Sequence, residues 1–113
     1  MLCEQLNTLA SECYRIAYQH GFKSIIDDEN EAGARMLLMV TEIVEAFEEV
    51  RKGEKLYKIY YINGKPEGIP IELADCIIRI LDTCHANGID IAEAIDIKMK
   101  YNEGRPYKHG KIL

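Results

Sequence analysis

The chain lacks a surplus of positive charge, any long apolar run and any closely paired cysteines, and each absence removes a class of function. Lys and Arg number 14 against 19 Asp and Glu, a formal net charge of -5. A general nucleic-acid binder needs the opposite balance to meet phosphates, so no nucleic-acid polymer is expected as partner. No apolar stretch approaches the roughly 20 residues a membrane span requires, and no membrane partner is expected. The N-terminus carries no basic stretch followed by an apolar one, so an export signal is not expected. Cys3, Cys13, Cys76 and Cys84 show no C-x-x-C spacing, which weakens redox-motif and zinc-ribbon readings. They fall at or beside apolar helical positions and read as reduced thiols acting as small hydrophobes. With no export signal, the expected location is a reducing cytoplasm. Internal repeats and low-complexity segments are absent as well.

What is present fits an ordinary globular chain. Hydrophobic residues at 48% and charged ones at 29% argue against disorder. A length of 113 residues suits a single domain, 1–113. The acidic balance is uneven: Lys98, Lys100, Arg105, Lys108, His109 and Lys111 face only Glu103 in the last stretch, giving an acidic body a basic tail.

Periodicity predicts an all-α fold, a four-helix bundle-like arrangement with one short strand or hairpin excursion. A first helix from about Leu2 to His20 gathers Leu6, Leu9, Ala10, Cys13, Ile16 and Ala17 on one side, and Gly21 ends it. A second, from about Asn30 to Lys52, carries a broad apolar arc: Met36, Leu37, Met39, Val40, Ile43, Val44, Phe47 and Val50. Arg35, Glu42, Glu45 and Glu49 lie opposite, and Gly53 stops it. The strand-favouring run Leu56 to Ile62 meets an Asn63-Gly64 turn signal, after which Lys65 to Gly68 reads as loop. A third helix starts at Pro70 and ends at Asn87-Gly88, mostly apolar with a narrow polar stripe of Glu72, Asp75, Arg79 and Asp82. A fourth begins at Asp90, with Glu93 three residues on as in a capping box, and runs to about Asn102. Its apolar stripe continues into Lys98 and Asn102, which are therefore expected to point inward.

Glu42 and Glu45 are three apart, so their side chains leave one face of a helix roughly 5–6 Å apart at Cβ. Glu72 and Asp75 repeat that spacing on the next helix. Carboxylates three apart are ordinarily a solvated face, and the second helix alone would be read that way. The narrow stripe of the third helix, flanked by apolar residues, instead expects a partly enclosed groove, where acids must be paired or metal-bound. Carboxylate oxygens are what Mg²⁺ and Mn²⁺ prefer. Four close anions repel without a cation, so metal should stabilise the fold.

At these residues the chain resembles a known family. Thr41-Glu42-Ile43-Val44-Glu45 followed by Glu72-Leu73-Ala74-Asp75 is similar to the E-E-x-x-E and E-x-x-D motifs of MazG-like nucleotide pyrophosphohydrolases. The likeness extends through Gly64 to Pro70, Ile78 to Asp82 and Lys98 to Gly110, covering most of Leu37 to Lys111. Thr41 departs from the pattern, standing where the motif has its first Glu; Glu48 or Glu49 would have to supply that charge. The resemblance implies a homodimer or homotetramer that uses Mg²⁺ to hydrolyse nucleoside triphosphates to monophosphate and pyrophosphate. Glu42, Glu45, Glu72 and Asp75 would hold the metal, with Glu42 or Glu45 orienting or deprotonating the attacking water. Lys98, Asn102, Arg105, Lys108 and His109 would meet the phosphates, from a neighbouring subunit if need be. Tyr60, Tyr61, Tyr101 and Tyr107 are candidates to stack on the base. The competing reading is a non-catalytic helical interaction module that dimerises through its apolar helices and offers the acidic face to an ion. His20 and His85 lack partners at ligand spacing and read as helix-end or surface residues.

Overall fold

A computed structural model describes residues 2–107; the expected phosphate contacts Lys108 and His109 lie outside the described residues. The chain folds in the order α1 (Leu2–Gln19), α2 (Glu29–Arg51), β1 (Tyr60–Ile62), β2 (Lys65–Glu67), α3 (Ile69–Ala86) and α4 (Ile91–Glu103). It is thus mostly helical, with one small antiparallel hairpin.

The element ends follow from local chemistry. The carboxylate of Asp28 caps α2 by accepting from the Glu31 amide at 2.8 Å, and Asp90 does the same for α4 from Glu93 at 3.0 Å. In the hairpin, Asn63 and Gly64 both have positive φ, 51° and 81°. That pair suits a tight turn whose twist matches the flanking strands. Lys65 to Glu67, expected as loop, instead pairs back in register with β1, Ile62 opposite Lys65 and Tyr60 opposite Glu67. The difference lies in the turn: two residues with φ > 0 reverse the chain so tightly that pairing follows at once.

Gly68 joins the hairpin to α3 with φ 119°, and a Cβ there would collide with the Lys58 carbonyl oxygen. Both the left-handed backbone and the close approach demand glycine. Gly68→Ala is therefore expected to destabilise the fold by about 2–3 kcal/mol, read as a lower urea midpoint at unchanged slope.

α3 is the central element. Helices α1 and α2 both pack on it, β2 touches it, and α4 packs against α1. The α1–α3 contact centres on Ala10, Cys13 and Leu81, with Leu6 and Ile91 against them. A polar cluster pins the loop before α2 to the far end of α3. Buried Ser24 donates to Asp82 at 2.8 Å, Arg35 reaches Asp82 at 3.1 Å and Thr83 at 3.0 Å, and the Asn87 amide bonds the Ser24 carbonyl at 2.9 Å.

The chain on its own is open. Its accessible surface is 8657 Å², whereas a compact monomer of this mass exposes roughly 6,300 Å². Its radius of gyration is 16.5 Å, against about 13 Å for a compact 100-residue domain. Among the described residues no helix is long and apolar enough to cross a membrane.

Candidate metal centre

The orientation of α2 decides the site. Glu42, Ala46 and Glu49 are its buried residues, while Met36, Leu37, Val40, Ile43, Val44, Phe47 and Val50 are all exposed. The solvated-face expectation for this helix is thus reversed for Glu42 and Glu49, which face the protein, while Glu45 stays exposed and the apolar arc faces out. Small Ala46 on that face, and the Cys76 thiol reaching the Met39 carbonyl at 3.4 Å, mark where α2 and α3 pack closely.

This orientation brings three of the four expected ligands together. Carboxylate oxygens of Glu42, Glu45 and Glu72 lie within 4.8 Å of one another. Glu42 is buried, Glu72 half-buried and Glu45 exposed, so the cluster opens to solvent along Glu45. Asp75 stands beside the group rather than inside that radius. The charges of Glu42 and Glu45 act on it, and Arg79 opposes them.

The electrostatics are those of crowded acids. Glu72 is pushed up to about 7, first by burial, then by its hydrogen bond with Glu45 and by the charges of Glu45, Asp75 and Glu42. Asp75, exposed yet partly desolvated by its surroundings, is also raised, by that desolvation and then by the Glu42 charge. The Glu42 side chain is 7% exposed and accepts from Arg79 Nε at 2.8 Å through Oε1. Its other oxygen, Oε2, is buried with no protein partner. A carboxyl raised by its acidic neighbours and a buried carboxylate oxygen with no protein partner are compatible with a place for a cation. The donor set, all carboxylate, fits Mg²⁺ or Mn²⁺.

A pH consequence follows. A carboxyl whose folded pKa lies above its unfolded one stabilises the fold while protonated. That contribution is complete below about 4.5 and is lost as pH rises through about 7. In chelator the melting temperature should therefore fall between pH 5 and 8. With excess Mg²⁺ the ionised carboxylates gain a partner, so the metal-induced rise in melting temperature should grow over the same interval. A metal effect that is flat or shrinking across this range would contradict the assignment.

The structure also adds acids that spacing did not reveal. Glu49, Glu67 and Glu72 form a second group within 4.8 Å, so Glu72 is shared between the two. Glu49 is buried and is met by the Tyr60 hydroxyl at 2.9 Å; this contact pushes the Tyr60 phenol up to about 12. Glu49 was one of the two residues considered as a substitute for the motif's first Glu. Thr41 itself is exposed and donates to the Leu38 carbonyl at 2.6 Å. Glu67 carried no signal, because only the hairpin brings it back to α3.

A cavity of about 450 Å³ adjoins the cluster, with Glu42, Asp75, Arg79, Arg35 and Asp82 on its polar side and Cys13, Ile16, Ala17, Phe22 and Ile78 on its apolar side. That volume falls within the usual range for small-molecule sites. None of Tyr60, Tyr61, Tyr101 and Tyr107 lines it; the aromatic ring there is Phe22. His20 also lines it, with Nδ1 at 2.9 Å from the Ile16 carbonyl oxygen, and His85 lies beside Tyr14 with the two rings tilted by 42°.

The basic residues of α4 are placed otherwise than expected. Lys98 and Asn102 are exposed rather than inward, because α4 packs on α1 through its first turn, where Ile91 and Ala92 are the more buried residues. Lys98 Nζ lies 4.8 Å and Arg105 Cζ 5.3 Å from the Tyr101 ring centre, so the two cations share one aromatic platform. Neither lines the cavity.

Comparison with protein-family models, curated proteins and solved structures finds no significant match, so the site stands on its own geometry.

Proposed function

We propose that the chain is a Mg²⁺-dependent hydrolase, with Mn²⁺ as an alternative metal, that cleaves nucleoside triphosphates to monophosphate and pyrophosphate as a homodimer or homotetramer. The observation that carries this reading is the buried Glu42 with its orphaned oxygen, set among Glu45 and Glu72 at the edge of a ligand-sized cavity. The resemblance to MazG-like enzymes, at these same residues, supplies the reaction class.

Glu42, Glu45 and Glu72 would hold the metal, with Asp75 beside them as the fourth carboxylate. The metal, when bound, supplies charge neutralisation at phosphate oxygens and acidifies water. Glu42 or Glu45 would orient or deprotonate the attacking water, and the exposure of Glu45 favours Glu45 for that role. The apolar side of the cavity, with Phe22, receives the base and sugar, and Arg35 and Arg79 offer positive charge on its polar side.

The oligomer is supported by surface arithmetic. The chain exposes roughly 2,300 Å² more than a compact monomer of its mass, enough for a stable homo-oligomeric interface. The outward apolar arc of α2 is the part with that character. Association through it also gives Lys98, Asn102 and Arg105 a route to a site, that of a neighbouring copy.

The test is release of pyrophosphate from a panel of nucleoside triphosphates with and without Mg²⁺. Metal-dependent release with monophosphate as co-product is expected. No release from any triphosphate, by protein that is oligomeric, would leave the interaction module as the reading, since the exposed face of α2 serves that role equally well.

A further inference from the structure

Arg79 leaves α3 one turn beyond Asp75, and its ion pair with Glu42 is lopsided. The glutamate side chain is 7% exposed and the arginine 37%. One Glu42 oxygen accepts the Arg79 Nε–H, the other has no protein partner, and both belong to a carboxylate grouped with Glu45 and Glu72 within 4.8 Å. Arg79 also lines the cavity that Glu42 and Asp75 line, and its side chain is part-exposed, so its guanidinium borders open space.

A guanidinium cannot give up a carboxylate by losing its proton; it can only move. A divalent ion seated on the same buried carboxylate would lie within a few ångströms of that fixed charge, where the two repel strongly. The two cations therefore compete for one carboxylate, through different oxygens. Once released, the guanidinium stays tethered at the cavity's polar side, a planar fork of donors suited to phosphoryl oxygens.

Resting on the metal reading above, we propose that Arg79 is a built-in stand-in for the divalent ion, holding Glu42 until metal displaces it into the cavity, where it becomes a binding group for the phosphate part of the ligand. Metal binding and anion binding are then coupled: the first frees the arginine that the second uses.

The substitution Arg79→Gln separates this from a merely structural role, because it should move two affinities in opposite directions. By titration calorimetry, Mg²⁺ alone should bind Arg79→Gln at least about fivefold tighter than wild type, since no cation has to be expelled. Inorganic pyrophosphate, added to Mg²⁺-saturated protein, should bind at least about tenfold more weakly. Arg79→Lys should recover part of the pyrophosphate binding. Weaker Mg²⁺ binding by Arg79→Gln, or unchanged pyrophosphate binding, overturns the proposal. Wild type that binds neither Mg²⁺ nor Mn²⁺ overturns the metal reading itself, a distinguishable result. If Arg79→Gln does not fold, nitrogen-15 NMR on wild type provides the second test. The Arg79 Nε–H signal, identified by its loss in Arg79→Lys, should shift and exchange faster with water at saturating Mg²⁺; an unmoved signal overturns the proposal.

Discussion

Glu45→Gln should abolish most metal-dependent pyrophosphate release, lowering kcat/KM by about two to four orders of magnitude while the protein stays folded. Both halves follow from its position. Glu45 is exposed, so an amide of equal size removes no packing. It lies within the Glu42–Glu45–Glu72 cluster, so the amide removes one of the crowded negative charges and a strong metal ligand. In metal-free protein the loss of repulsion should leave the melting temperature unchanged or slightly raised. Glu72, which Glu45 helps to push up to about 7, should titrate at lower pH. The rise in melting temperature with Mg²⁺ should shrink in parallel with activity. Activity within tenfold of wild type, with the Mg²⁺ effect intact, would remove Glu45 from the centre. An unfolded variant would instead mean that the carboxylate was structural, contrary to its exposure.

Helix limits were legible because short-range chemistry sets them. Asp90 with Glu93, and Asn63-Gly64 between strand-favouring residues, each state a backbone conformation within four residues. Which way α2 faces was not legible. A helical wheel divides its surface into an acidic side and an apolar side, and the usual rule sends the apolar side inward. That rule assumes one chain and one solvent. Here the inward side of α2 within a protomer is Glu42, Ala46 and Glu49, and the apolar side is left out. The spacing of Glu42 and Glu45 against Glu72 and Asp75 was sufficient to nominate the cluster, but it could not rank the four. Burial separates Glu42 from exposed Asp75, and burial is a property of packing between helices. The Arg35–Asp82 pair spans 47 positions and Ser24–Asp82 spans 58. Their partners lie on separate helices and, for Ser24, in a loop, and carry no joint signal. Lys98 and Asn102 were expected to point inward by periodicity, yet the short α4 buries only its first turn.

Introducing aspartate at the centre of the outward arc, Val44→Asp, or Val40→Asp with Val44→Asp, should convert the proposed oligomer to a monomer and cost at least about 100-fold in turnover without unfolding the chain. Val40 is 54% exposed and Val44 51% exposed in the isolated protomer, so neither holds the α2–α3 packing that positions Glu42. Buried in a homo-oligomeric interface, an ionised aspartate without a partner loses several kcal/mol of hydration, and symmetry places one such charge on each copy. Light scattering should report a mass near 12.9 kDa in place of a multiple of it, with helical circular dichroism retained. The metal response then separates the two parts of the site. All the carboxylates of the cluster belong to one chain, so the monomeric variant should keep its Mg²⁺-dependent rise in melting temperature. Lys98 and Arg105 gather on Tyr101 and do not line the cavity of their own chain, so with no neighbouring copy to serve, substrate binding should weaken to what Arg35 and Arg79 supply while metal binding survives. A monomer that hydrolyses triphosphates at the wild-type rate would remove these two cations from the reaction and leave the cavity's own Arg35 and Arg79 to meet the phosphates.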